Sequence, residues 1–224
     1  MFIEQTEEKT NNNLWVEYSN KIKEWKSKIL AFDKIEGIAD SFTSKILGIE
    51  KEILSIGIAN YKKVPANTVT SRHEFYNLLD YDWEELNLVK NQIIKNASNI
   101  IGGNSFYVKM WANIFRHDEY IEKHIHHPEP VRETDEFKNN IFKTVCGHLF
   151  LKNDYPSNTT YYFENQKVDF LNVEGDMHFF CCIVPHEVKP FNGKIRVGIA
   201  FDVYSEDFFK ELGIPIPNDV RLIK

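Results

Sequence analysis

Phe106-Tyr107-Val108-Lys109-Met110-Trp111-Ala112-Asn113-Ile114 alternates without a break. Side chains of an extended chain repeat every two residues, so Phe106, Val108, Met110, Ala112 and Ile114 share one face. Tyr107, Lys109, Trp111 and Asn113 share the other, and the stretch reads as a half-buried strand. Upstream the period is helical. Trp83, Leu86, Val89, Ile93, Ile94, Ala97 and Ile101 form a stripe that Asp82 can cap and Gly102-Gly103 can stop. Ile46, Leu47, Ile49, Ile53 and Leu54 form a second helical stretch, and Leu14, Trp15, Tyr18, Ile22, Trp25, Ile29 and Leu30 a third. Downstream, strand-like runs cover 145–151, 159–163, 168–173, 177–184 and 195–204. Turn signals such as Glu174-Gly175-Asp176 and Pro190-Phe191-Asn192-Gly193 separate them. Short strands so spaced predict an antiparallel sandwich or barrel. The expected class is α+β, with a helical region over 1–103 packed on a β-rich core over 104–224, together one compact domain.

Composition narrows the function. Hydrophobic residues make up 42% of the 224, enough to build a core and to exclude a disordered chain. Three cysteines, two of them adjacent at Cys181-Cys182, exclude a disulfide scaffold and a zinc site built on cysteines. A net charge of -6 argues against a protein that coats nucleic acid. The N-terminus lacks a basic segment followed by an apolar one, and no apolar run approaches the roughly 20 residues of a membrane span. A cytoplasmic protein is expected.

Seven of the eight histidines fall after residue 116. In Tyr120-Ile121-Glu122-Lys123-His124-Ile125-His126-His127-Pro128, an extended chain puts His124 and His126 on one face, a pair suited to a first-row divalent metal. His186 follows Pro185, and Arg196 comes ten residues later. Arg196, Gly198 and Ala200 share a face of small residues, which leaves room for a cavity. A guanidinium inside a cavity seeks a carboxylate held by two prongs.

These parts in this order resemble the iron(II)/2-oxoglutarate-dependent oxygenases, in particular small bacterial and phage members. The resemblance rests on Trp111-Ala112-Asn113, Tyr120 with His124-Ile125-His126, Cys146-Gly147, Glu174-Gly175-Asp176, Pro185-His186 and Arg196. It covers residues 106 to 203. It implies a double-stranded β-helix of jelly-roll, cupin-like type, buttressed by the N-terminal helices. It also implies Fe(II) on His124, His126 and His186, and 2-oxoglutarate chelating that metal with its far carboxylate on Arg196. O2 is the second cosubstrate, and succinate and CO2 are released as a small-molecule or peptide substrate is hydroxylated. Asn113 and Tyr162 are expected to add hydrogen bonds to the cosubstrate, with Tyr161 the alternative phenol.

The resemblance has one departure. The family's second ligand is a carboxylate, and here the position holds His126. His117-Asp118-Glu119 matches His-x-Glu literally and competes with the His124/His126 pair; Glu122, Glu129 and His127 are further possible ligands, and His148 faces either the cavity or solvent. A cupin-like barrel that binds a metal or small ligand without oxygenase chemistry is the rival reading, but it has no need of Arg196. The polar segment Pro128–Lys143 is expected to be a loop that closes over substrate. Substrate identity and oligomeric state are not legible.

Overall fold

A computed structural model describes residues 20–21, 23–57, 63–126 and 140–224. Among the described residues, ten strands form two antiparallel sheets. β1 is Ile29–Lys34, β2 Phe106–Phe115, β3 Ile121–His124, β4 Thr144–Asn153 and β5 Asn158–Phe163. β6 is Gln166–Leu171, β7 Asp176–Phe180, β8 His186–Val188, β9 Arg196–Ser205 and β10 Arg221–Ile223. The larger sheet runs β1-β7-β4-β9-β2-β10 and the smaller β3-β8-β5-β6. Helices α1 (Ala39–Ser55) and α2 (Glu84–Ile101) precede β2, and a short α3 (Phe208–Glu211) follows β9.

The alternation of β2 sets the layers. Phe106, Val108, Met110, Ala112 and Ile114 are buried in one cluster with Val197, Ile199, Phe201 and Val203 of β9. On their far side lie Phe42 and Ile46 of α1 and Leu86, Val89, Ile93 and Ala97 of α2, spaced three and four apart as a helical stripe requires. The helices thus cover one face of the larger sheet. The opposite face of β2 and β9 is left to a second layer, in which Cys146 and Phe180 pack against Tyr161 of the smaller sheet. No described helix is long and apolar enough to cross a membrane.

Three local expectations are corrected. Ile29 and Leu30 begin a strand instead of ending a helix, because β1 pairs with β7 from Ile29↔Phe180 to Lys34↔Asp176. The N-cap of α2 is Trp83, with no side-chain cap, and not Asp82. At its other end Gly102 takes φ 75°, the left-handed region that ends a helix readily only at glycine. The strand expected over 177–184 stops at Phe180, after which a turn closes as the Val184 N–H donates to Cys181 O at 2.9 Å. Of the expected 128–143 loop, 128–139 lie outside the described residues, and Ile141–Lys143 form a 3-10 turn leading into β4.

Gly147, the small residue of β4, sits where two layers touch. A Cβ there would lie 2.3 Å from Phe201 Cζ and 2.5 Å from the His178 carbonyl oxygen, so a backbone would have to move. Gly147→Ala is expected to destabilise the fold by about 1–3 kcal/mol, the usual cost of overpacking a filled core. Urea unfolding measures it, and an unchanged midpoint would show that β4 has slack there.

Candidate metal centre and ligand cavities

The smaller sheet delivers the histidines. β3 ends on His124, whose Cα partner on β8 is His186. Two residues on, the His126 backbone N–H donates to Cys182 O at 3.1 Å and fixes the chain beyond the strand. The three imidazoles cluster, with ring centroids 4.3 Å apart for His124 and His186 and 5.0 Å for His126 and His186.

Their outer nitrogens are all engaged. His124 Nδ1 is 2.8 Å from Glu122 O, and His186 Nδ1 is 3.0 Å from Val184 O. His126 Nδ1 meets the Asp202 carboxylate. A carbonyl and a carboxylate can only accept, so each Nδ1 carries a proton, and the Nε2 of a neutral ring presents a lone pair. His126 Nε2 and His186 Nε2 lie 3.2 Å apart, close enough for a shared proton or a bound cation to bridge them. With imidazole–metal bonds of about 2.1 Å, that 3.2 Å separation subtends roughly 100° at an ion, near the angle of neighbouring ligands in an octahedron. His124, His126 and His186 together can hold one divalent metal.

Asp202 was not singled out from the sequence. It lies on the same β9 face as Arg196, Gly198 and Ala200, one step further along the alternation, and is buried. A carboxylate on the outer nitrogen of a metal-binding histidine fixes its tautomer and raises its basicity. Negative charge therefore stands one imidazole away from an all-histidine site. His126 and Asp202 also form a second potential trio with Cys146.

Arg196 lines a narrow cavity of about 30 Å³ shared with His124, His126 and His186. Its guanidinium carbon lies 5.2 Å from the Phe115 ring centroid and 5.8 Å from that of Phe150. Nη2 reaches Thr159 Oγ1 only at 3.5 Å, and buried Nη1 has no hydrogen-bond partner among the described residues. Burial lowers its pKa to about 10, which leaves it charged at neutral pH. Asn113 lines the same cavity, and its Oδ1 accepts from Thr70 Oγ1 at 3.0 Å. His148 faces this cavity as well.

Tyr162 does not join them. Its hydroxyl donates to Glu187 Oε1 at 2.7 Å, and Lys123 Nζ lies 4.1 Å over its ring, away from the cavity. The parity of β5 turns Tyr161 inward instead, fully buried, with its hydroxyl 3.2 Å from His178 Nδ1 and 3.4 Å from His148 Nδ1. His117-Asp118-Glu119 forms an outer turn, with His117 and Asp118 exposed, Asp118 at φ 64° and Glu119 Oε2 accepting from the Arg116 backbone N–H. Glu122 is exposed beside Lys63, while His127 and Glu129 lie outside the described residues.

No protein-family model matches the chain, and no curated protein matches it. Solved structures do. A prolyl hydroxylase from Trichoplax adhaerens, in complex with a hypoxia-inducible-factor oxygen degradation domain peptide fragment, aligns over 80% of this chain and 86% of its own at TM-score 0.52 and 16% identity. The nickel complex of the non-heme monooxygenase ThoJ aligns over 79% and 74% at TM-score 0.50 and 11% identity. The chain has the fold of the 2OG-Fe(II) oxygenases. A third structure with this fold, EvdMO1, reaches TM-score 0.57 at 9% identity, over 84% of this chain and 50% of its own.

Burial favours the neutral form of His124, His148, His178 and His186. It lowers His124 to about 3, with His126 adding to the effect, and His178 to about 4, and it also lowers His148 and His186. The unfolded chain takes up these protons at the ordinary imidazole value of about 6.5. The folded chain resists until far lower pH, so stability present above pH 6.5 is lost as pH falls. The loss is about 1.4 kcal/mol per pH unit for each such residue. Metal-free protein is expected to show a urea midpoint that drops steeply between pH 6.5 and 5. A flat profile over that range would mean the imidazoles protonate in the folded state.

Proposed function

We propose that this chain is an Fe(II)- and 2-oxoglutarate-dependent dioxygenase that hydroxylates a small-molecule or peptide substrate, releasing succinate and CO2. The observation that carries the reading is the Nη1 of Arg196, without a partner among the described residues, in the same cavity as three converging imidazoles. A buried guanidinium without a partner is costly, and an anion relieves it. A dicarboxylate that also reaches the metal satisfies both ends at once.

In this reading His124, His126 and His186 hold the iron, and Asp202 fixes the His126 ring. Arg196 takes the far carboxylate of 2-oxoglutarate, with Asn113 beside it. Phe115 and Phe150 flank the guanidinium and keep water from competing for it. Iron held this way supplies the O2 activation that couples 2-oxoglutarate decarboxylation to C–H hydroxylation. The two sheets are then the halves of a double-stranded β-helix over 104–224, buttressed by the 1–103 region. We place the protein in the cytoplasm. The rival, a metal-binding barrel without oxygenase activity, gains from the absence of a carboxylate in the trio but leaves Arg196 unexplained.

The experiment is to mix purified chain with Fe(II) and 2-oxoglutarate under nitrogen, follow the metal-to-ligand absorption band, then admit O2 and assay succinate. A band followed by succinate supports the reading. The absence of a band at millimolar 2-oxoglutarate would sink it.

A further inference from the structure

A second cavity, larger at about 470 Å³, adjoins the first, and Trp111, Ile121, His124 and His126 line both. The imidazoles therefore stand at the seam between two chambers. Along one face of β2, Asn113 lines the first chamber, Trp111 both, and Lys109 the second. These residues step by about 7 Å each, two positions along a strand. Lys109 is the cross-strand partner of Asp202, whose carboxylate holds His126.

Lys109 Nζ is paired with Asp219 Oδ2 at 2.5 Å, both lining the second chamber, with side chains 13% and 25% exposed. A singly charged ligand fits this pair poorly. A cation alone would displace Lys109 from Asp219 and strand a half-buried ammonium, and an anion alone would strand the carboxylate. Stranding a charge costs more than the pair is worth. A ligand carrying both charges exchanges partners one for one. Trp111 offers an apolar wall from that pair toward the seam, and the His73 ring lies 5.6 Å from it.

We propose that the second chamber binds a small zwitterion of the free α-amino acid type, its carboxylate on Lys109 and its ammonium on Asp219, its side chain running along Trp111 toward His124 and His126. This names a substrate class for the oxygenase reading and rests on it for the chemistry, though not for the binding.

Saturation-transfer NMR on the metal-free full chain tests it, with each common L-amino acid as probe beside its N-acetyl and amide derivatives. At least one free amino acid is expected to bind, with both derivatives at least tenfold weaker. Lys109→Gln and Asp219→Asn are each expected to weaken that amino acid at least tenfold. Asp219→Asn should then prefer the N-acetyl form, a switch that loss of fold would not produce. Derivatives that bind as well as the parent would overturn the proposal even if neither variant folds. So would a chain that forms the 2-oxoglutarate band with iron but binds no amino acid. Amino-acid binding without that band would keep the chamber's ligand and remove the oxygenase reading instead.

Discussion

Arg196→Ala is expected to weaken 2-oxoglutarate binding at least a hundredfold and to leave iron stoichiometry unchanged. Two hydrogen bonds from a guanidinium to a carboxylate contribute about 1.5–3 kcal/mol each. Every 1.4 kcal/mol is roughly tenfold in affinity. Arg196→Lys keeps the charge but loses the second prong, so it should fall between wild type and alanine. Arg196→Ala also removes a buried guanidinium whose Nη1 has no partner among the described residues. Stability of the metal-free alanine variant should therefore drop less than an ordinary buried large-to-small change would cost, about 2–5 kcal/mol. Titration of 2-oxoglutarate into the anaerobic iron protein measures the first effect and urea unfolding the second. Unchanged 2-oxoglutarate affinity would remove the main reason to prefer an oxygenase over a plain metal-binding barrel.

Asp202→Asn is expected to lower iron affinity about 10–100-fold, the usual effect of losing a partner behind a metal-binding histidine. The amide oxygen can still accept from His126 Nδ1, so the tautomer survives and only the negative charge is lost. His126→Ala removes the ligand and should lower affinity further. Competition against a chromophoric chelator reads both. Cys146→Ser is the control, because Cys146 completes the other trio with His126 and Asp202. If iron binding followed Cys146 and ignored His124 and His186, the ion would belong to that trio.

What the sequence made legible was mostly alternation. The phase of β2 and β9 placed Trp111, Asn113 and Arg196 on the cavity side, and the spacing of the histidines brought His124, His126 and His186 together. Asp202 was within reach of the same reasoning, since 196, 198, 200 and 202 share a face, but a carboxylate late in a strand has no motif of its own. Tyr161 and Tyr162 could not be phased, because both faces of β5 carry aromatic or polar residues and only the packing against Phe180 and His178 selects one. Ile29 and Leu30 fit a helical stripe locally, and their pairing with a segment nearly 150 residues away overrides it. Arg221–Ile223, which pairs with β2 as β10, is too short to announce a strand.

That distant pairing of β1 also decides where the larger sheet ends among the described residues. β1 is the outer strand of the larger sheet, so its backbone covers that of β7. A chain cut back beyond Lys34 would present Asp176–Phe180 as a naked ladder of amide and carbonyl groups, a template for a strand from another molecule. The first strand, remote from the histidines in sequence, thus sets which backbone forms the edge of the sheet that carries Arg196.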